Sequence, residues 1–181
     1  LAATNAALQT GLDNPLDEAI TQAHPAPPTG MAKLGEVPYD FIRKRLSVVV
    51  RDATGPLLVT KGALEPVLSV CTMQADGTAL DEVRRGQLRA HAGAWAERGI
   101  RTLAVATRRM PEQPAYGRDD ETGLRFDGFL TFLDRPKVGV GAALLGLAQL
   151  GVQVKLITGD AGAVARHVAS AVGMPAERVL S

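Results

Sequence analysis

The sequence holds a single cysteine, Cys71, and little aromatic content, 4% of its 181 residues. One thiol excludes an internal disulfide framework and suits a reducing compartment. Neither sign of charge dominates: the formal net charge is +1, so composition gives no case for nucleic acid or an anionic membrane surface. The histidines, His24, His91 and His167, are scattered, with no Cys or carboxylate at metal-ligand spacing, and read as surface or helix-face residues. There is no GxSxG, no Ser-His-Asp or Cys-His arrangement and no Walker loop of the form GxxxxGK(S/T). Long apolar runs are also lacking. Val138 to Val154 is uncharged, but it includes Gln149 and Gln153, is divided by Gly151, and falls short of the about 20 apolar residues a spanning helix needs. It reads as a soluble helix followed by a strand. No basic region followed by an apolar one opens the chain, so no signal peptide is expected. Leu1 is not an initiator methionine, and the chain is expected to be an excised fragment.

An apolar content of 46% is that of a packed globular protein. Residues 1–10 predict a helix stopped by Gly11. Asn14 then caps a second helix, with Pro15 at its first position and Asp17 and Glu18 in its first turn. Residues 24–30 form a Pro-rich loop. Leu46 to Val50 is a β-branched run that reads as a buried strand, and Asp52-Ala53-Thr54-Gly55 turns it into Leu57 to Thr60, a hairpin. Leu64, Val67, Leu68 and Cys71 follow with the spacing of an amphipathic helix. Residues 81–98 form a longer helix ended by Gly99, 100–105 a strand, 110–123 an exposed loop, and 124–133 another strand. Helix 138–150, strand 152–157 and helix 161–172 then give a parallel βαβ pattern. The expected fold class is α+β: a mostly antiparallel sheet with flanking helices over residues 1–125, then a partial parallel α/β segment over 126–181.

Pro38 to Val50 organises the chain. Phe41 is followed by Arg43, Lys44 and Arg45 and then by the strand. A flat ring with guanidinium groups on a rigid strand suits a ligand with a flat base and a phosphate tail; a core Phe beside a solvated basic edge is the alternative. Lys61-Gly62-Ala63 lies at a strand-to-helix junction, where glycine admits a close approach and lysine offers a point charge, or where a plain turn carries a surface lysine. Arg101 either holds a phosphate or is solvated. Asp17 either accepts from a ligand amine or favours its helix N-terminus. Thr158-Gly159-Asp160 sits at the carboxyl end of a predicted parallel strand, the edge where open α/β sheets bind ligands, and Asp134 lies at a comparable strand end. Two such carboxylates suit a metal-phosphate group; each also reads as a helix cap.

In order, NPLDEAI, YDFIRKRLSVVV, KGALE, GIRTLAVATR, FLDRPK and TGD resemble the large cytoplasmic loop of P-type cation-transporting ATPases, over nearly the whole chain. QTGLDNPLDEAI, PYDFIRKRLSVVV, VTKGALEPVLSVC and GFLTFLDRPK are most similar to the magnesium-translocating branch. The resemblance implies a nucleotide-binding domain inserted into a phosphorylation domain of the haloacid-dehalogenase type. It implies that Phe41 stacks on adenine, Lys61 and Gly62 line the base and ribose, Arg43 and Arg101 face the phosphates, and Asp17 contacts the adenine side. Asp134, Thr158, Gly159 and Asp160 would face the transferred phosphoryl group. ATP, with Mg2+ in the parent, is the implied cofactor. The implied partners are the rest of the pump, its phosphorylation, actuator and membrane domains, and the implied location is the cytoplasmic side of an integral plasma (inner) membrane protein.

The departures from the family are specific. Leu46 stands where some relatives have lysine, Leu64 replaces the proline of KGAPE, and Arg135 replaces the first proline of DPPK. DKTGT, with the aspartate that accepts phosphate, and GDGxND do not occur. The expected function is ATP binding and positioning for phosphoryl transfer to an aspartate outside the chain, which alone is not expected to be catalytically competent. A haloacid-dehalogenase-type phosphatase fragment, which would need an N-terminal DxD strand, and a non-catalytic interaction domain are the alternatives.

Overall fold

The computed structural model describes residues 1–11, 14–24, 30–133 and 136–175. Helices α1 (Ala2–Leu8) and α2 (Pro15–Ala23) precede strands β1 (Ala32–Val37), β2 (Arg45–Asp52) and β3 (Gly55–Gly62). A short helix α3 (Leu64–Leu68), strand β4 (Cys71–Gln74), helix α4 (Glu82–Glu97) and strand β5 (Ile100–Arg109) follow. A 3-10 turn at Arg118–Asp120, strand β6 (Leu124–Leu133) and helices α5 (Val140–Gln149) and α6 (Gly162–Ala171) complete the order. The strands form one six-stranded sheet, β1-β2-β3-β5-β6-β4. The β1–β2, β2–β3 and β3–β5 pairs are antiparallel, and β4–β6 is parallel. The fold is α+β with a mixed, mostly antiparallel sheet and flanking helices.

The hairpin forms where its turn chemistry directs. Asp52 Oδ1 accepts from the Thr54 amide and hydroxyl at 2.8 and 2.7 Å, and the register runs without a bulge from Asp52↔Gly55 to Arg45↔Gly62. Alternation sends Leu46, Val48, Val50, Leu57 and Val59 to one face, where they form a core cluster covered by Leu8 and Met31. The same alternation puts Lys61, opposite Leu46, on that face, and turns Arg45, Ser47 and Thr60 to the other. Helix α1 is fixed above the cluster by buried Asn5, whose Nδ2 donates to the Val59 carbonyl at 2.8 Å. Asn14 caps α2 as expected, accepting from the Leu16 amide at 3.0 Å.

Three expectations are corrected. The helix after Ala63 ends at Leu68, and Cys71 opens β4 instead of closing the helix. Cys71 fits both patterns; the parallel pairing Cys71↔Leu124 decides, because the buried start of the segment satisfies its backbone in a ladder. Residues 152–157 form no strand. A strand needs a hydrogen-bonded neighbour, none of the six strands pairs there, and Val152, Val154, Leu156 and Ile157 are exposed. The loop 110–123 is not wholly exposed, since Met110 and Glu121 are buried.

The chain divides into two compact units, Leu1–Gly86 with Leu103–Leu130, and Gln87–Thr102 with Thr131–Ser181. In the second, Gly99 terminates α4 at φ 74, and a Cβ there would lie 2.2 Å from Cδ2 of His167, so a histidine on the face of α6 packs on the glycine. No helix among the described residues is long and apolar enough to cross a membrane.

Among the described glycines of the first unit, Gly62 has the closest neighbours. A Cβ there would fall 2.5 Å from the Lys44 carbonyl oxygen and 2.6 and 2.7 Å from Cβ and Cα of Arg45. Two of these three atoms are backbone, which cannot swing away. Gly62→Ala is therefore expected to destabilise the chain by about 1–3 kcal/mol, read as a lower midpoint in urea unfolding; an unchanged midpoint contradicts the packing.

Candidate functional site

The loop from Pro38 to Lys44 leads into β2 and carries Phe41 at its tip. Phe41 is 82% exposed and Ile42 93%. The Phe41 ring meets Tyr39 edge to face, centroids 5.6 Å apart and planes at 87°. The loop is held by its own polar groups. Asp40 Oδ1 accepts from the Ile42 and Arg43 amides at 2.9 and 2.6 Å, and these bonds hold its carboxyl below the usual carboxylate range. The Lys44 amide donates to the Asp40 carbonyl at 2.9 Å. Lys44 adopts φ 47, the left-handed region uncommon for a residue with a side chain. Its carbonyl accepts from the Ala63 amide at 2.9 Å, which ties the loop to the turn after Gly62.

Two buried charge clusters flank this end of the hairpin. On the face of the core cluster, Lys61 Nζ pairs with Asp17 Oδ1, and Gln9 Nε2 donates to Asp17 Oδ2 at 2.8 Å. Both partners of the ion pair are buried. On the opposite face Glu121 is buried too. Its Oε2 accepts from Arg43 Nη1 and, at 2.8 Å, from Arg45 Nε, and its Oε1 accepts from Ser47 Oγ at 2.6 Å. Ser47 Oγ also meets Thr60 Oγ1 at 2.7 Å. Arg45 Nη1 reaches the Pro66 carbonyl at 2.9 Å, and Arg43 Nη2 the Pro38 carbonyl at 2.6 Å.

Of the residues singled out in the sequence, Asp17 and Lys61 are brought into contact, Arg43 lies in the Phe41 loop, and Gly62 packs against the end of that loop at Lys44 and Arg45. Arg43 is mostly buried against protein partners. Arg101 lies in the second unit and pairs with Asp160 Oδ1 at 2.9 Å. The Asp160 amide bonds to Thr158 Oγ1 at 3.1 Å, a local turn that spans Gly159. Asp134 lies outside the described residues. Gln9 and Glu121 were not singled out. Glu121 ends the acidic run Asp119-Asp120-Glu121, and only its position just before the buried Leu124 hints that it turns inward. No group of three His, Cys, Asp or Glu suited to a metal occurs among the described residues. Burial pushes the Cys71 thiol up to about 12, so it holds its proton at neutral pH and is no nucleophile.

Residues 3–139 match the family model of the P-type ATPase cytoplasmic domain N. The chain belongs to the P-type ATPase family. A magnesium-transporting ATPase, P-type 1, of Salmonella typhimurium is 36% identical over 100% of this chain and 21% of its own length. Its namesake in Escherichia coli K12 is 36% identical over 97% of this chain and 21% of its own length. The cation-transporting ATPase pma1 of a Synechocystis species is 30% identical over 80% of this chain and 16% of its own. The chain thus spans about a fifth of the magnesium-transporting relatives it matches.

Burial lowers the Lys61 ammonium from 10.5 to about 8, because an apolar surrounding disfavours the charged form. Between pH 8 and 10.5 the unfolded chain holds a proton on Lys61 that the folded chain has released. Burial here opposes, and outweighs, the attraction of the Asp17 carboxylate at Nζ, so stability contributed by this site rises with pH across that window. The difference in Tm between wild type and Lys61→Met is expected to climb from pH 8 to 10.5; a flat difference contradicts the shift.

Proposed function

We propose that this chain is the ATP-binding part of a P-type cation pump, magnesium-transporting like the relatives named above. In this reading residues 1–125 bind the nucleotide and 126–181 belong to the phosphorylation domain. The carrying observation is an aromatic ring left in water on a loop that buried ion pairs hold in place. Tyr39, Phe41 and Ile42 are exposed together on this loop, and apolar groups exposed side by side, unlike a lone one, mark a binding surface. Phe41 stacks on adenine, and Lys61 and Gly62, with Asp17 behind them, form the floor beside base and ribose. The missing Cβ at Gly62 lets the end of the Phe41 loop, at Lys44 and Arg45, lie against β3 beside Lys61. Arg43 belongs to the site through the loop it braces. In the second unit, Arg101 and the Thr158-Gly159-Asp160 turn are assigned to the phosphoryl side, as is Asp134.

ATP enters with Mg2+, and the γ-phosphate goes to an aspartate outside this chain. The other domains of the pump, including its membrane part, are the partners. Phosphoryl transfer relies on positioning and charge stabilisation, and the share assigned here is positioning. Affinity is expected to be weak, since one stacked ring and a few partly screened cations are modest contributions.

Calorimetric titration with ATP tests the reading. Phe41→Ala is expected to remove about 1–3 kcal/mol of binding, the usual range for a base stacked on an aromatic ring, and Lys61→Ala to weaken binding less. Wild-type affinity retained in Phe41→Ala would refute the site, and no nucleotide-dependent thermal shift at all would favour an interaction domain.

A further inference from the structure

We propose that Glu121 is a positioning residue for the nucleotide: it fixes the Phe41 loop through Arg43, so that Arg43 serves as a strut and not as a phosphate ligand. The inference rests on the reading of Phe41 as the base-stacking ring. Its premise is where Glu121 sits. The Glu121 side chain is fully buried and takes Arg43, Arg45 and Ser47 together. Arg45 and Ser47 belong to β2, whose register with β3 is fixed; Arg43 belongs to the loop. A buried carboxylate is tolerated only with its partners in place, so this one carboxylate couples the position of the loop to the rigid sheet.

The ring has little else to hold it. Phe41 and Ile42 are exposed, and the ring meets Tyr39 by its edge. The direction of the Phe41 side chain is therefore set by its backbone; the Asp40 carboxylate and the Lys44 carbonyl shape that backbone locally, and the Arg43 side chain, two residues on, ties it to buried Glu121. Nε, Nη1 and Nη2 of Arg43 donate to Asp40, Glu121 and the Pro38 carbonyl respectively. Three of its five N–H donors, one on each nitrogen, are engaged, and two of the three go to carboxylates, so the orientation and charge of this arginine are already committed within the protein. The opposite end of Glu121 is equally fixed. Its segment is closed by the Asp120 carboxylate accepting from the Gly117 amide at 2.8 Å, and by Arg108 donating to the Thr122 carbonyl at 2.8 Å.

The test compares ATP with adenosine, each titrated by NMR chemical shift against the 181-residue chain. A strut acts on the ring, so Glu121→Gln is expected to weaken both ligands by the same factor, on the order of tenfold, a coupling of ordinary size for residues linked through one network. In the Phe41→Ala background the same substitution is expected to change neither affinity further, an outcome that general loss of structure would not produce. A folded Glu121→Gln with wild-type affinities overturns the proposal, as does a loss confined to ATP, which would make Arg43 a phosphate contact. Should Glu121→Gln not fold, Arg43→Lys keeps the charge but cannot bridge all three partners. An equal loss for both ligands in that variant supports the strut, and an ATP-only loss or none overturns it. If wild type binds adenosine no better than Phe41→Ala does, the reading of the ring itself falls, separately from any result at Glu121, and the proposal falls with it.

Discussion

The register of one antiparallel pair governs the first unit. With Arg45 opposite Gly62 and Leu46 opposite Lys61, alternation sends Lys61 toward Asp17 and Gln9 on one face and Arg45 and Ser47 toward Glu121 on the other. A slip of one residue would exchange the faces of Lys61 and Gly62, putting an ammonium among the arginines and leaving Asp17 buried without a cation. The two clusters therefore penalise wrong registers, whatever they add to net stability. The apolar run gives less discrimination, because Val48, Val49 and Val50 are all buried and similar in shape. Thus polar residues mark the register that the hydrophobic residues leave loosely specified.

This division explains which parts of the fold could be read from the sequence. The hairpin was legible because Asp52-Ala53-Thr54-Gly55 separates two β-branched runs, and α2 because Asn14-Pro15 is a cap signal that needs no tertiary partner. β1 was not: Ala32–Val37, AKLGEV, has one β-branched residue and a glycine at its register shift, and it becomes a strand because β2 offers an edge. Strand 152–157 was expected on local pattern alone and fails for the converse reason: its β-branched residues have no paired edge among the described strands. The overall class survived these errors because it depends on the long central strands.

The candidate site was legible in its residue types and less so in its pairings. Phe41, Lys61 and Gly62 stand out because a ring, a cation and a glycine at strand ends are unusual next to apolar runs. The partner of each cation is a long-range fact: Lys61 finds Asp17, and Arg43 finds Glu121, across separations no periodicity encodes. Glu121 was the hardest to anticipate, since Asp119, Asp120 and Glu121 are chemically alike and only chain closure decides which turns inward. Asp120 is used in the turn itself, through the Gly117 amide, and this leaves the next carboxylate to meet β2.

These pairings also limit how charge can act near the ring. Lys61, Arg43 and Arg45 each have a carboxylate partner, in Asp17, Asp40 and Glu121, so these three of the cations that look available in the sequence are neutralised within the fold. A region built this way exerts little long-range pull on an anion, because paired charges cancel beyond a few ångströms and salt screens what remains. Recognition at the proposed site then rests on shape and on the apolar ring, with positive charge kept as framework. Water competes weakly for a flat hydrophobic face and strongly for an exposed guanidinium. Placing the arginines inside and the phenylalanine outside reverses the usual arrangement of a globular surface. That reversal is stable only because the loop, the strand and Glu121 satisfy one another's polar groups; without that mutual satisfaction the ring would have no fixed place to present.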